Sequence, residues 1–128
     1  MSYDPYFFPY VVSLVPMEGL ADGTNFPDMN NARVWTRNGV VTKQTTKKFG
    51  AASGYFPGSA YLSCPASEDF NFGTGAFTLE GWIYLTANSA TDGSGLKAAI
   101  LSTTMSANAG GFAFGVNGDG TTTGTGIF

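Results

Sequence analysis

Residues 56–82 read F-P-G-S-A-Y-L-S-C-P-A-S-E-D-F-N-F-G-T-G-A-F-T-L-E-G-W, and the punctuation of this stretch decides the fold class. Gly58-Ser59 opens one short run, and Phe72-Gly73-Thr74-Gly75 marks the approach to a longer one over residues 77–85, which is the rhythm of strand, turn and strand. Six aromatic rings fall inside it. A solvated loop cannot carry that much large apolar surface, so the stretch is expected to supply core to a β-sheet domain. In residues 77–85 one parity holds Phe77, Leu79, Gly81, Ile83 and Leu85, while the other holds Thr78, Glu80, Trp82 and Tyr84. An apolar face and a mixed face predict a strand packed on an opposing sheet.

Working outward, residues 10–15 (Y-V-V-S-L-V) are rich in β-branched side chains and bounded by prolines. They are expected to form the first strand, after an extended arm over residues 1–10. Residues 17–31 carry Gly19, Asp22-Gly23, Asn25, Pro27-Asp28 and Asn30-Asn31, a density of turn formers that predicts an exposed loop. Arg33 to Arg37 alternates polar and apolar, Asn38-Gly39 is a two-residue turn signal, and Val40-Val41-Thr42 resumes the strand pattern. Together they predict a hairpin. Further strands are expected at residues 98–102 and 112–116, separated by a loop over residues 106–111. No window shows apolar residues at helical spacing, so the chain reads as all-β.

With 128 residues the chain suits one domain, taken as residues 11–128 behind the arm. Hydrophobic residues make up 43% and charged residues 12%, which argues against intrinsic disorder and for a surface of Ser, Thr, Asn and Gly. Nine acids against six bases give a net charge of -3, and the bases are scattered, so no nucleic acid partner is expected. The apolar N-terminus is broken by Pro5, Pro9 and Pro16 and preceded by no Lys or Arg. It resembles neither a signal peptide nor a membrane span, so it is read as a mature N-terminus with no membrane partner. The single cysteine, Cys64, permits no internal disulfide and reads as a small buried apolar side chain.

The ordered pattern of aromatic-x-Gly at residues 56–58, Tyr61-Leu62, Pro65, and then Asp69-Phe70-x-Phe72-Gly73-Thr74-Gly75-x-Phe77-Thr78-x-Glu80-x-Trp82 resembles the laminin-G/concanavalin-A-like jelly rolls of tailed-phage structural proteins. The resemblance covers roughly the first two thirds of that domain. A later strand with a second Trp and a Val-Asp-Gly turn has no counterpart here, so a segment of a longer protein and a shortened version both remain open. It implies an antiparallel β-sandwich of the jelly-roll, concanavalin A-like type, with a core of Phe56, Leu62, Phe70, Phe77, Leu79, Ile83, Ile100 and Phe114. It further implies a non-enzymatic structural or adhesive component of a virion, in tail fibre, baseplate or capsid decoration, made in the host cytoplasm. The alternatives are a free carbohydrate-binding module and a fragment of a glycoside hydrolase.

No histidine is present, which removes His-dependent triads, His zinc sites and His general bases. Glu80 has Thr78 and Trp82 as same-face neighbours, so the paired acids of a glycosidase strand are missing, and Glu68-Asp69 reads as a turn or capping pair. No catalytic residue is assigned. No cofactor is required, and calcium is the metal that the resemblance implies, held by Asp22, Asp28 and Asn25 in the loop. The competing reading of those residues is Asx bonding to their own backbone. Trp35, Tyr61 and Tyr84 are candidates for a glycan platform, against the commoner role of strand aromatics in a core. Tyr6, Phe7, Phe8 and Tyr10 are candidates for contact with other virion subunits or a second copy of the chain, since a sheet lacking its last strands exposes an edge. A homo-oligomer is therefore expected.

Overall fold

The computed structural model describes residues 8–30, 32–85, 98–103, 113–117 and 126–127. All seven strands in them are short and antiparallel, and no α-helix occurs among the described residues. The protein is all-β. The chain divides into two compact units, Met1–Phe77 and Thr78–Phe128.

In the first unit, β1 (Thr36–Asn38) pairs with β4 (Tyr61–Ser63), setting Arg37 opposite Leu62. The second pair joins β2 (Val41–Lys43) to β3 (Ser53–Tyr55), with Thr42 opposite Gly54. The expected hairpin does not form, because β1 and β2 each pair elsewhere. A two-residue hairpin turn of the favoured type needs positive φ at both central residues. Gly39 supplies it at φ 72, whereas Asn38 is not among the residues with positive φ, so the chain passes through Asn38-Gly39 and does not fold back.

The buried side chains of this unit are Phe26, Val40 and Ala52, with Thr42 and Asp28 among them. This differs from the expected core: Phe56 and Phe77 are 46% and 56% exposed, and Leu62 and Phe70 are half-buried. The loop over residues 17–31, expected to be exposed, brings in Phe26 and Asp28. It docks on β2 through Asp22 N–H to the Thr42 carbonyl (2.8 Å) and Thr42 N–H to the Gly23 carbonyl (3.0 Å). The Thr42 hydroxyl also donates to the Leu20 carbonyl. The docking needs Gly23 to be bare: a Cβ there would lie 2.6 Å from Thr42 Oγ1 and 3.0 Å from the Leu20 oxygen.

Residues 10–15 are not a strand either. Phe8–Tyr10 is a single 3-10 turn, and the following backbone is held by side chains. Asn30 donates its amide to the Val11 carbonyl, and Arg33 donates to the Val12 carbonyl at 3.1 Å. Asp28 accepts the Leu14 N–H at 3.1 Å, and the Leu14 carbonyl accepts the Met29 N–H at 2.8 Å. Backbone groups satisfied in this way have no need of a sheet ladder.

The second unit contains an antiparallel sheet in the order β5 (Ala98–Ser102), β6 (Ala113–Asn117), β7 (Gly126–Ile127). The β5–β6 register shifts between Ala99 and Leu101, which leaves Ile100 as the bulged residue, 40% exposed. Leu101, opposite Phe114, is half-buried. Residues 77–85, expected to be the longest strand, belong to no strand or bridge; Ile83 is 46% exposed, and Leu79 is half-buried. A segment apolar on both parities needs cover on both faces and a neighbour at its edge.

Candidate functional site

The most connected group of side chains lies in the first unit around Asp28, whose carboxylate is fully buried. One oxygen, Oδ1, accepts the backbone N–H of Leu14 and of Asn30, each at 3.1 Å. The other, Oδ2, accepts the Ser13 hydroxyl at 2.6 Å, Arg33 Nη1 at 3.3 Å and the Trp35 indole N–H at 3.4 Å. The Asn30 contact is an Asx turn, the local bond that Asp makes with the backbone two residues on. Arg33 completes the group with only 8% of its side chain exposed. Its second nitrogen pairs with Asp69 at 2.5 Å, and its guanidinium stacks 4.6 Å from the centre of the Phe70 ring. The cluster ties residues 11–14, the loop, the Val34–Trp35 bridge region and the Glu68–Phe70 turn to one centre.

That turn is a 3-10 element capped by Ser67, whose hydroxyl accepts the Asp69 N–H at 3.2 Å. Capping holds Asp69 in reach of Arg33. Beside the cluster, burial pushes the Cys64 thiol above its ordinary pKa, with Arg33 pulling it down less strongly and Asp28 adding to the rise. A thiol so placed is kept protonated, which makes it a poor nucleophile.

An open cavity of about 280 Å³ lies over this region, lined by Asn25, Phe26, Pro27, Asp28, Ala32, Arg33, Val34 and Trp35. Asp28 and Arg33 face each other there, so the two charges on its wall neutralise one another. What the cavity offers a ligand is the apolar surface of Val34, 71% exposed, beside the half-buried Trp35.

The three loop residues expected to hold calcium are not drawn to one point by their bonding. Asp22 pairs with Lys43, Asp28 is engaged by five donors in its own cluster, and Asn25 lines the cavity. Among the described residues no three of His, Cys, Asp or Glu gather in a way that could hold a metal ion. A divalent cation wants several free oxygen ligands, and carboxylates already neutralised by Lys43 and Arg33 do not fit it.

The three platform aromatics also separate. Trp35 turns its indole N–H inward to Asp28, Tyr61 is 48% exposed at the end of β4, and Tyr84 is 75% exposed in the second unit. Of the arm, Tyr6 and Phe7 lie outside the described residues, as does the side chain of Phe8, and Tyr10 is 82% exposed. Sequence reasoning missed Ser13, Arg33 and Asp69 as a group. A signal was present in Ser13, a polar residue inside the apolar run of residues 11–15, because such a hydroxyl must find a partner when the run is buried. No helix among the described residues is long and apolar enough to cross a membrane. No protein-family model, curated protein or solved structure matches the chain.

Proposed function

We propose that this chain is a non-enzymatic structural and adhesive subunit of a tailed-phage virion, in a tail fibre, baseplate or capsid decoration. In this reading the small antiparallel sheets are parts of a jelly-roll sandwich of the concanavalin A-like type, as the motif in residues 56–82 implies. The observation that carries the reading is apolar exposure. Tyr10, Leu20, Val34, Trp82 and Tyr84 are each more than 70% exposed, and Phe49 and Phe77 more than half. Scattered single exposures are ordinary, but this many large side chains on a chain with 12% charged residues suit a surface covered by neighbouring subunits. The Asp28–Arg33 cluster supports the same reading, since its charges bind one another and offer nothing to a substrate.

The test is to purify particles from a lysate expressing the chain with an epitope tag and to locate the tag by immunogold labelling. Labelling at a fixed place on the particle is expected. A chain recovered only in the soluble fraction, in lysates that yield intact particles, would remove the reading. A glycan-binding module is the second reading, favoured by the exposed rings of Tyr61 and Tyr84. Retention on immobilised bacterial polysaccharide that is lost in Tyr61→Ala or Tyr84→Ala would select it.

A further inference from the structure

Residues 78–85, T-L-E-G-W-I-Y-L, form no strand or bridge, yet Trp82 and Tyr84 are 73% and 75% exposed and Ile83 and Leu85 are 46% and 47% exposed. The segment is self-complementary about Gly81. Laid antiparallel against a second copy, it sets Thr78 opposite Tyr84, Leu79 opposite Ile83 and Glu80 opposite Trp82, while Gly81 meets its own counterpart. Leu79 and Ile83 are then an apolar cross-strand pair on one face, and the aromatic rings cover the Thr and Glu stems on the other. The charge pattern selects this arrangement: a parallel, in-register pairing would place Glu80 on Glu80, whereas the antiparallel one keeps the segment's only charge away from its copy. At the centre, a Cβ built on Gly81 meets nothing within 4 Å, so the chain's own atoms leave that point open to a second backbone.

We propose that residues 78–84 pair with the same residues of a second copy of this chain, as an antiparallel β-ladder with a two-fold axis at Gly81. The proposal rests on the reading of the chain as an assembling subunit and names one of its partners. It is an isologous contact, the kind that closes into a dimer and does not run on into a fibre. The four exposed side chains offer on the order of 400 Å² per protomer, about half of the ~800 Å² per partner in a standard interface. The pairing is therefore weak and concentration-dependent in the isolated protein, with dimer populated between about 10 µM and 1 mM.

The experiment is disulfide trapping in the full chain carrying Cys64→Ser. Gly81→Cys places two thiols across the axis, where facing Cα atoms in an antiparallel ladder lie about 4.5–5.5 Å apart, within the roughly 4.4–6.8 Å that a disulfide spans. Mild oxidation at high protein concentration should convert most of Gly81→Cys to covalent dimer. Thr78→Cys alone should remain largely uncrosslinked, because it faces Tyr84, while an equimolar mixture of Thr78→Cys and Tyr84→Cys should yield the mixed dimer. Far-UV circular dichroism and a cooperative melt of the reduced variants establish that each is folded. A folded Gly81→Cys that crosslinks no faster than Thr78→Cys overturns the register. Sedimentation of the unmodified chain as a monomer across the whole concentration range overturns the pairing and leaves the segment to a different partner. Particle labelling reads the virion assignment separately, so labelled particles with no crosslink would remove the pairing alone.

Discussion

Replacing Asp28 by Ala strands more groups than any other single truncation in the first unit. Two backbone donors, Leu14 N–H and Asn30 N–H, lose their acceptor together with the Ser13 hydroxyl, the Trp35 indole and Arg33. Each buried donor left unpaired costs about 1–3 kcal/mol. Removing one partner of a buried ion pair costs about 3–5 kcal/mol. These costs overlap, since some donors will recover water, so about 3–5 kcal/mol is the expected total. Against a whole-domain stability of about 5–15 kcal/mol, that is a large loss. Arg33→Ala should cost less, about 1–3 kcal/mol, because the Asp28 carboxylate keeps four other donors and what goes is one charged contact and the stack on Phe70. The assay is urea unfolding followed by tryptophan fluorescence. A Trp82→Phe background leaves Trp35 as the single reporter of the two tryptophans. With a slope of about 1–3 kcal/mol/M, Asp28→Ala should lower the midpoint by roughly 2 M. Arg33→Ala costing as much as Asp28→Ala, or both costing under about 0.5 kcal/mol, would refute the view that Asp28 is the centre on which these segments depend.

Three further outcomes are expected. Gly23→Ala should destabilise the protein by about 1–3 kcal/mol through overpacking against the fully buried Thr42, while Gly75→Ala, whose Cβ would meet only the Phe72 carbonyl at 3.5 Å, should stay within about 0.5 kcal/mol; thermal melts decide, and equal effects at both sites would contradict the close approach. Cys64 should react with iodoacetamide more slowly in the folded chain than in urea, because its pKa is raised on folding; the same shift means that stability is fully present below the unfolded thiol's pKa of about 8.5 and falls as pH rises through the folded value, so a Cys64→Ala chain with the same alkaline loss would count against it. Millimolar calcium should leave Tm unchanged relative to chelator, since Lys43 and Arg33 already neutralise Asp22 and Asp28; a calcium-dependent rise in Tm, which mass action would produce at a real site, would show that the loop opens to the ion.

The all-β character was legible from composition and period alone. β-branched runs and turn residues do not depend on what packs against them, and the strands at Ala98–Ser102 and Ala113–Asn117 lie within a residue of the expected ranges. The candidate site was legible only in pieces. Asp28 stood out as a turn former, and its bond to Asn30 N–H is a local one that sequence spacing can suggest. Its partners Ser13 and Arg33, fifteen residues before it and five after, and the link from Arg33 to Asp69 thirty-six residues on, are not local. No period in the sequence encodes such separations.

What the sequence determined by itself is the class of local structure: short extended runs, glycine-rich turns and no helix-forming window, because these follow from each residue's own φ/ψ preferences and its near neighbours. What only the tertiary structure decided is which run meets which. Val41–Lys43 pairs with Ser53–Tyr55 and not with the strand beyond Gly39, and the turn-rich loop contributes Phe26 and Asp28 to the interior. The physical reason is that pairing and burial are relations between distant segments. A run such as residues 10–15 will leave the sheet when nearby side chains satisfy its backbone, and a bare Gly23 becomes decisive only where Thr42 arrives against it.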